Sequence, residues 1–205
     1  MSNDYKQELS NMLESLIYNH IYPFFEDGKM SLELFITTYC NKRCSYCYLQ
    51  QNKDKLYPAE FQEPNIILSN LKILFEHLIE KNIKVKNLDL YSGDIWHLDF
   101  GKAILLNILD YVDKGLAIKN ILIPTNGSFL NDDNNYFFYN DLIDKFNERK
   151  IHLRFSFSND GQIIDSLNRP FAEKEYECNY QNLFSFSQEN ILGYHPMIDA
   201  NEIEK

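Results

Sequence analysis

The chain is predicted to be an α/β protein built on parallel strands, and three observations carry that reading. Apolar runs of strand length alternate with apolar-faced helical stretches from residue 31 to residue 198. A polar motif directly follows each of the first four strands. The 205 residues, 44% hydrophobic and 15% aromatic, leave room for one domain with a substantial core. Such alternation argues for parallel pairing through right-handed crossovers, which suits an open sheet and a barrel-like one alike.

Residues 5–25 place Leu9, Leu13, Leu16, Ile17 and Ile21 near the helical period, so residues 1–29 are expected to form an N-terminal helical extension packed on the main domain. Residues 31–37 alternate as a first strand. Residues 65–81 present a broad apolar face, with Ile67, Leu71, Leu74 and Leu78, and predict a helix. The second strand is expected at 85–91, a helix at 103–112 and a third strand at 118–124. A helix within 136–149 and a fourth strand at 151–157 follow, and a weaker helical stretch at 180–187 leads to a short fifth strand within 192–198. Repeats, low-complexity tracts and Pro- or Gly-rich linkers are missing from the sequence.

Charge and cysteine usage narrow the function classes. A net charge of −10 disfavours nucleic acid as a partner, because phosphate binding needs clustered Lys and Arg. No apolar run reaches the roughly 18 residues of a membrane helix. Four Cys in a chain of this length make no secreted disulfide framework, and the polar start carries no signal peptide, so a reducing cytoplasm is the expected compartment.

Three of those Cys lie together in Cys40-Asn41-Lys42-Arg43-Cys44-Ser45-Tyr46-Cys47, a C-x3-C-x2-C run just after the first strand. Gaps this short let one loop curl three thiolates around a metal centre. A structural zinc site and an ordinary [4Fe-4S] cluster each want four protein ligands, and Cys178 is far away in sequence. Three local thiolates suit a cluster with one iron left open. A zinc knuckle completed by a nearby His, or unligated cysteines, are the plainer alternatives.

The run resembles the signature of the radical S-adenosylmethionine (radical SAM) enzymes, including the aromatic Tyr46 before the last Cys. The resemblance covers residues 30–205 and is nearest to the peptide-modifying, SPASM or sulfatase-maturase-like branch. It implies a partial (β/α) TIM-like barrel of about five to six parallel strands with outer helices, incomplete at the C-terminus. It also implies a [4Fe-4S] cluster on Cys40, Cys44 and Cys47, with S-adenosyl-L-methionine on the open iron. Reductive cleavage would then yield a 5′-deoxyadenosyl radical that modifies a peptide or protein substrate, with flavodoxin or ferredoxin as reductant.

Further motifs match strand by strand. Ser92-Gly93-Asp94 stands where the family has Gly-Gly-Glu beside the methionyl ammonium, and the shorter Asp94 puts that contact in doubt. Thr125-Asn126-Gly127 resembles the family's turn after the third strand, so Asn126 is expected at the cofactor, although Asn-Gly also makes an ordinary turn. Ser156 and Ser158 share one strand face and are the candidates for the ribose hydroxyls, Arg169 for the carboxylate, and Tyr46 for the adenine side. Asp165 belongs to the same strand-four pattern, and His195 and Trp96 are read as structural, His97 as a possible neighbour of substrate. Lys42 and Arg43 are expected on the solvated rim of the loop. The competing expectations are a truncated, non-catalytic relative acting as a peptide-binding or regulatory partner, and a zinc-binding structural domain.

Overall fold

The computed structural model describes residues 11, 29–56, 62–158, 186 and 191–194. The expected helix at 180–187 lies outside these residues but for Phe186, as do the fifth-strand positions beyond Tyr194. Of the expected N-terminal helix only Asn11 is described, and it is helical.

The described elements are β1 (Lys29–Glu33), α1 (Tyr48–Leu56), α2 (Pro64–Glu80), β2 (Lys84–Asp89), α3 (Asp99–Asp113), β3 (Ile118–Thr125), a 3-10 turn (Ser128–Asn131), α4 (Asp133–Glu148), β4 (His152–Phe157) and β5 (Ile191–Tyr194). All five strands pair in parallel in the order β1-β2-β3-β4-β5. The expected α/β class with a parallel sheet is therefore present. Among the described residues β1 and β5 are free edges, so the sheet is open there and not closed into a barrel. α1 was not expected, because its polar sequence, YLQQNKDKL, carries no apolar stripe.

Consecutive strand order has a geometric consequence. Right-handed crossovers that always step the same way set their helices on the same side of the sheet. Leu88, Ile121, Leu153 and Phe155 on that side are fully buried, in one cluster with Phe75, Ile104, Ile108 and Phe146 of the covering helices. Phe186 joins it, edge-on to Phe155 with ring centroids 5.2 Å apart. The residues between them on each strand face the other way. In register from β1 to β3 they form a row Ser31, Asn87, Asn120, and above it Glu33, Asp89, Leu122, continued by Arg154 on β4.

Each helix delivers the chain to the next strand through the same cap. After α2, α3 and α4 the left-handed position falls on Asn82 (φ 52°), Gly115 (φ 105°) and Lys150 (φ 60°). The following residue then donates back five positions: Ile83 N to Leu78 O at 2.9 Å, Leu116 N to Tyr111 O at 2.9 Å, Ile151 N to Phe146 O at 3.0 Å. This is the Schellman arrangement, and its apolar residue is Ile83, Leu116 or Ile151, just before the next strand. Pro64 opens α2, where its missing N–H costs nothing, and the Asp132 carboxylate caps α4 through Asn135 N at 3.1 Å.

Candidate metal centre at the strand ends

Parallel strands end on one rim, and the first three polar motifs meet there with Ser158 of the fourth. β1 pairing continues past its last assigned residue, with Leu34 N donating to Asp89 O and Ile36 N to Tyr91 O, at 2.8 and 3.1 Å. Gly93 N then donates to Thr37 O at 2.7 Å. A Cβ at Gly93 would lie 1.7 Å from Tyr39 O, so only glycine lets the end of β2 pass under the start of the Cys loop. Gln62 Oε1 accepts from Thr38 N at 2.8 Å, Thr38 Oγ1 at 2.7 Å and Thr37 Oγ1 at 3.0 Å, and Gln50 Nε2 donates to Thr38 O at 3.1 Å. These amides hold the loop's entry; no spacing in the sequence marks them.

Cys40, Cys44 and Cys47 are half-buried free thiols. They line one hollow of about 180 Å3 together with Tyr46, Ser92, Gly93, Asp94, Asn126 and Ser158. Nine of the eleven site residues expected from the sequence are thus brought together. Ser156 is buried on β4, paired with Pro124, and does not line the hollow. Arg169 lies outside the described residues, as do Asp165, Cys178 and His195.

Cys40 is the best supported of the three sulfurs. Its Sγ accepts from Lys42 N at 3.4 Å and from Asn126 Nδ2 at 3.8 Å, with the Asp94 amide a further donor. Burial, then the nearby Asp94 carboxylate, pushes its thiol pKa up, so the thiolate needs a positive centre to be stable there. Asn126 Nδ2 also donates to Asn41 Oδ1 at 3.0 Å, and Asn41 Nδ2 to Ser128 Oγ at 2.6 Å, tying the Cys loop to the turn after β3.

Asp94 lines the hollow and also holds the neighbouring turn. The carboxylate is buried and its Oδ2 accepts from Thr125 Oγ1 at 2.8 Å and Asn126 N at 2.6 Å, clamping the Thr-Asn-Gly turn. Its Oδ1 is buried with no partner among the described residues, and burial raises its pKa despite those donors. His97 stacks near Tyr39, ring centroids 6.4 Å apart, with its pKa lowered by burial. Trp96 is fully buried as expected, donating from Nε1 to Pro124 O at 3.2 Å. Lys42 corrects its expectation: it is 5% exposed, because the turn that carries its amide to Cys40 also turns its side chain inward. Arg43 does stay exposed, on Gln50 Oε1 at 2.5 Å.

Among the described residues no three His, Cys, Asp or Glu side chains form a group that could hold a single metal ion. One zinc would require thiolates within about 4 Å of each other, given Zn–S bonds of about 2.3 Å. A multi-iron cluster puts each thiolate on a different iron and asks for a wider triangle. The donor set matches such a cluster in ligand type: three thiols on one hollow, one of them already receiving N–H donors at sulfur.

No family model matches the chain, and no curated protein matches it. Fold and site thus define a class only: a parallel α/β domain with three cysteines at the carboxyl rim of its sheet. No helix among the described residues is long and apolar enough to cross a membrane.

Proposed function

We propose that the chain is a radical SAM enzyme, its sheet part of a (β/α) barrel, that acts on a peptide or protein substrate. The observation that supports this is the convergence of all three thiols with the ends of β2, β3 and β4 on one hollow. Cys40, Cys44 and Cys47 would hold a [4Fe-4S] cluster, and S-adenosyl-L-methionine would bind beside it. When bound, the pair supplies the electron and the sulfonium from which a 5′-deoxyadenosyl radical is made, with a flavodoxin- or ferredoxin-like protein as reductant.

The chain's own residues bind and orient. Gly93 keeps the rim low enough for close approach, and Ser158, whose amide is held by Thr125 O at 2.9 Å, presents its hydroxyl at the hollow. Asp94 fixes the Asn126 turn against Cys40. At about 180 Å3 the hollow is smaller than the 300–1,000 Å3 of a whole small-molecule pocket, so the nucleotide has to extend along the open face of the sheet.

Anaerobic reconstitution tests the reading. The wild-type chain should take up iron and sulfide in equal amounts and release 5′-deoxyadenosine under dithionite, and the variant with all three Cys replaced by Ala should do neither. Equal iron uptake by that variant, or zinc without sulfide in the wild type, would refute it. A second reading has one specific observation in its favour. Asp94 stands where the family has Glu, and its Oδ2 is engaged by Thr125 and Asn126, leaving only Oδ1 as an acceptor, which suits a binding module that retains the site without turnover. That reading expects S-adenosylmethionine binding with no 5′-deoxyadenosine.

A further inference from the structure

Below the rim, the open face of the sheet carries a second hollow of about 430 Å3, within the size range of small-molecule sites. Its lower row is satisfied internally: Asn120 Nδ2 donates to Asn87 Oδ1 at 2.9 Å, and Asn87 Nδ2 to Ser31 Oγ at 3.0 Å. The row above it is not. Glu33 and Asp89 are register partners on β1 and β2, two carboxylates side by side, and burial with Glu33 nearby raises the Asp89 pKa. Asp89 Oδ1 is buried with no partner among the described residues. Leu122 follows in register on β3 and Arg154 on β4, and among the described residues the Arg154 side chain makes no ion pair or hydrogen bond.

We propose that this hollow seats a basic amino-acid unit, its side-chain cation between Glu33 and Asp89 and its carboxylate on Arg154. The charges stand at opposite ends of an apolar middle. Asp89 and Arg154 are two strand spacings apart, about 10 Å between backbones. That separation is too long for an α-ammonium and its own carboxylate. It suits a lysine- or arginine-length side chain, whose methylenes would lie on Leu122 while its head reaches the carboxylates. The Arg154 guanidinium offers a planar fork matched to a carboxylate. A divalent cation is the poorer occupant, because it wants about six oxygen ligands and the Asn and Ser neighbours are committed to one another.

The residues of this row share strand parity with Gly93 and Ser158 at the rim, about 13 Å farther along at roughly 3.3 Å per residue. The hollow therefore lies on the same face as the candidate metal centre. As the substrate seat of that centre it rests on the function proposed above; as a binding site it requires neither iron nor S-adenosylmethionine.

Titration of the isotope-labelled, iron-free full chain with Nα-acetyl-L-lysine, followed by NMR shifts, tests the site. Saturable binding is expected, weakened at least tenfold for Nα-acetyl-L-norleucine, which lacks the cation, and for Nα-acetyl-L-lysinamide, which lacks the carboxylate. Asp89→Asn should weaken acetyl-lysine at least tenfold, and Arg154→Gln should abolish the preference for acetyl-lysine over the amide. Absence of saturable binding, or equal binding of norleucine and lysine derivatives to the wild type, would overturn the proposal without any variant having to fold. Binding that persists in a chain unable to load iron counts against the cofactor reading alone. Iron loading without saturable binding counts against this site alone.

Discussion

At the scale of single residues, the site depends on residues that do no chemistry. Gly93 is the plainest case, since any Cβ would drive into Tyr39 O. Gly93→Ala should lower stability by about 1–3 kcal/mol, the usual cost of forcing atoms into filled space. A urea midpoint unchanged from wild type would show that the Cys loop does not rest on the end of β2. Asp89 gives a prediction with a sign that departs from the usual carboxylate. Its folded pKa is raised from 3.8, so the folded state holds the proton more tightly than the unfolded chain does. Stability contributed by this group is greatest at acid pH, falls as pH rises from about 4 to the folded value, and is level above it. Asp89→Asn should therefore be more stable than wild type at pH 7, with the gain shrinking toward pH 4 in thermal melts. A gain that instead grew toward acid would reverse the assignment. The same substitution should weaken the lysine ligand, so stability and binding move in opposite directions.

At the scale of elements, three crossovers end in one cap and only one of them uses glycine. Lys150 adopts φ 60° in the position that Gly115 fills after α3. A left-handed L residue costs about 1–2 kcal/mol, and glycine's extra chain entropy returns about 0.5–1 of that. Lys150→Gly should thus stabilise the fold by about 0.5–1 kcal/mol, read as a higher urea midpoint with an unchanged slope. A loss of stability would mean that the Lys150 side chain contributes more than its backbone costs. Arg149 beside it reaches both Asp113 oxygens, at 2.7 and 2.9 Å, joining the ends of α3 and α4, but the pair is solvent-exposed and adds little.

At the scale of the whole molecule, one rule governs the layout. Strands added in sequence order put the described covering helices on one face, and among the described residues the other face carries the polar rows of Ser31, Asn87 and Asn120 and of Glu33, Asp89 and Arg154. β3 is paired on both sides with fully buried Ile121 and Ile123, whereas β1 and β5 are edges among the described residues. Amide exchange should accordingly be slowest in β3 and at least tenfold faster in β1. Comparable protection across both would indicate that β1 is covered in solution.

The strands, the three main helices and the order of the polar motifs were legible in the sequence because apolar periodicity and local spacing are short-range properties. Cys40, Cys44 and Cys47 lie within eight residues, so the expectation of a metal loop required no tertiary information. α1 was not legible, since a polar helix has no stripe, and Lys150 was not, since a lysine does not mark a left-handed turn as a glycine does. The burial of Lys42, the engagement of Asp94 by Thr125 and Asn126, and the clamps of Gln50 and Gln62 were decided only in three dimensions. The Glu33, Asp89 and Arg154 row belongs with them. Each of these depends on which strand lies beside which, and register is set by packing between segments far apart in the chain.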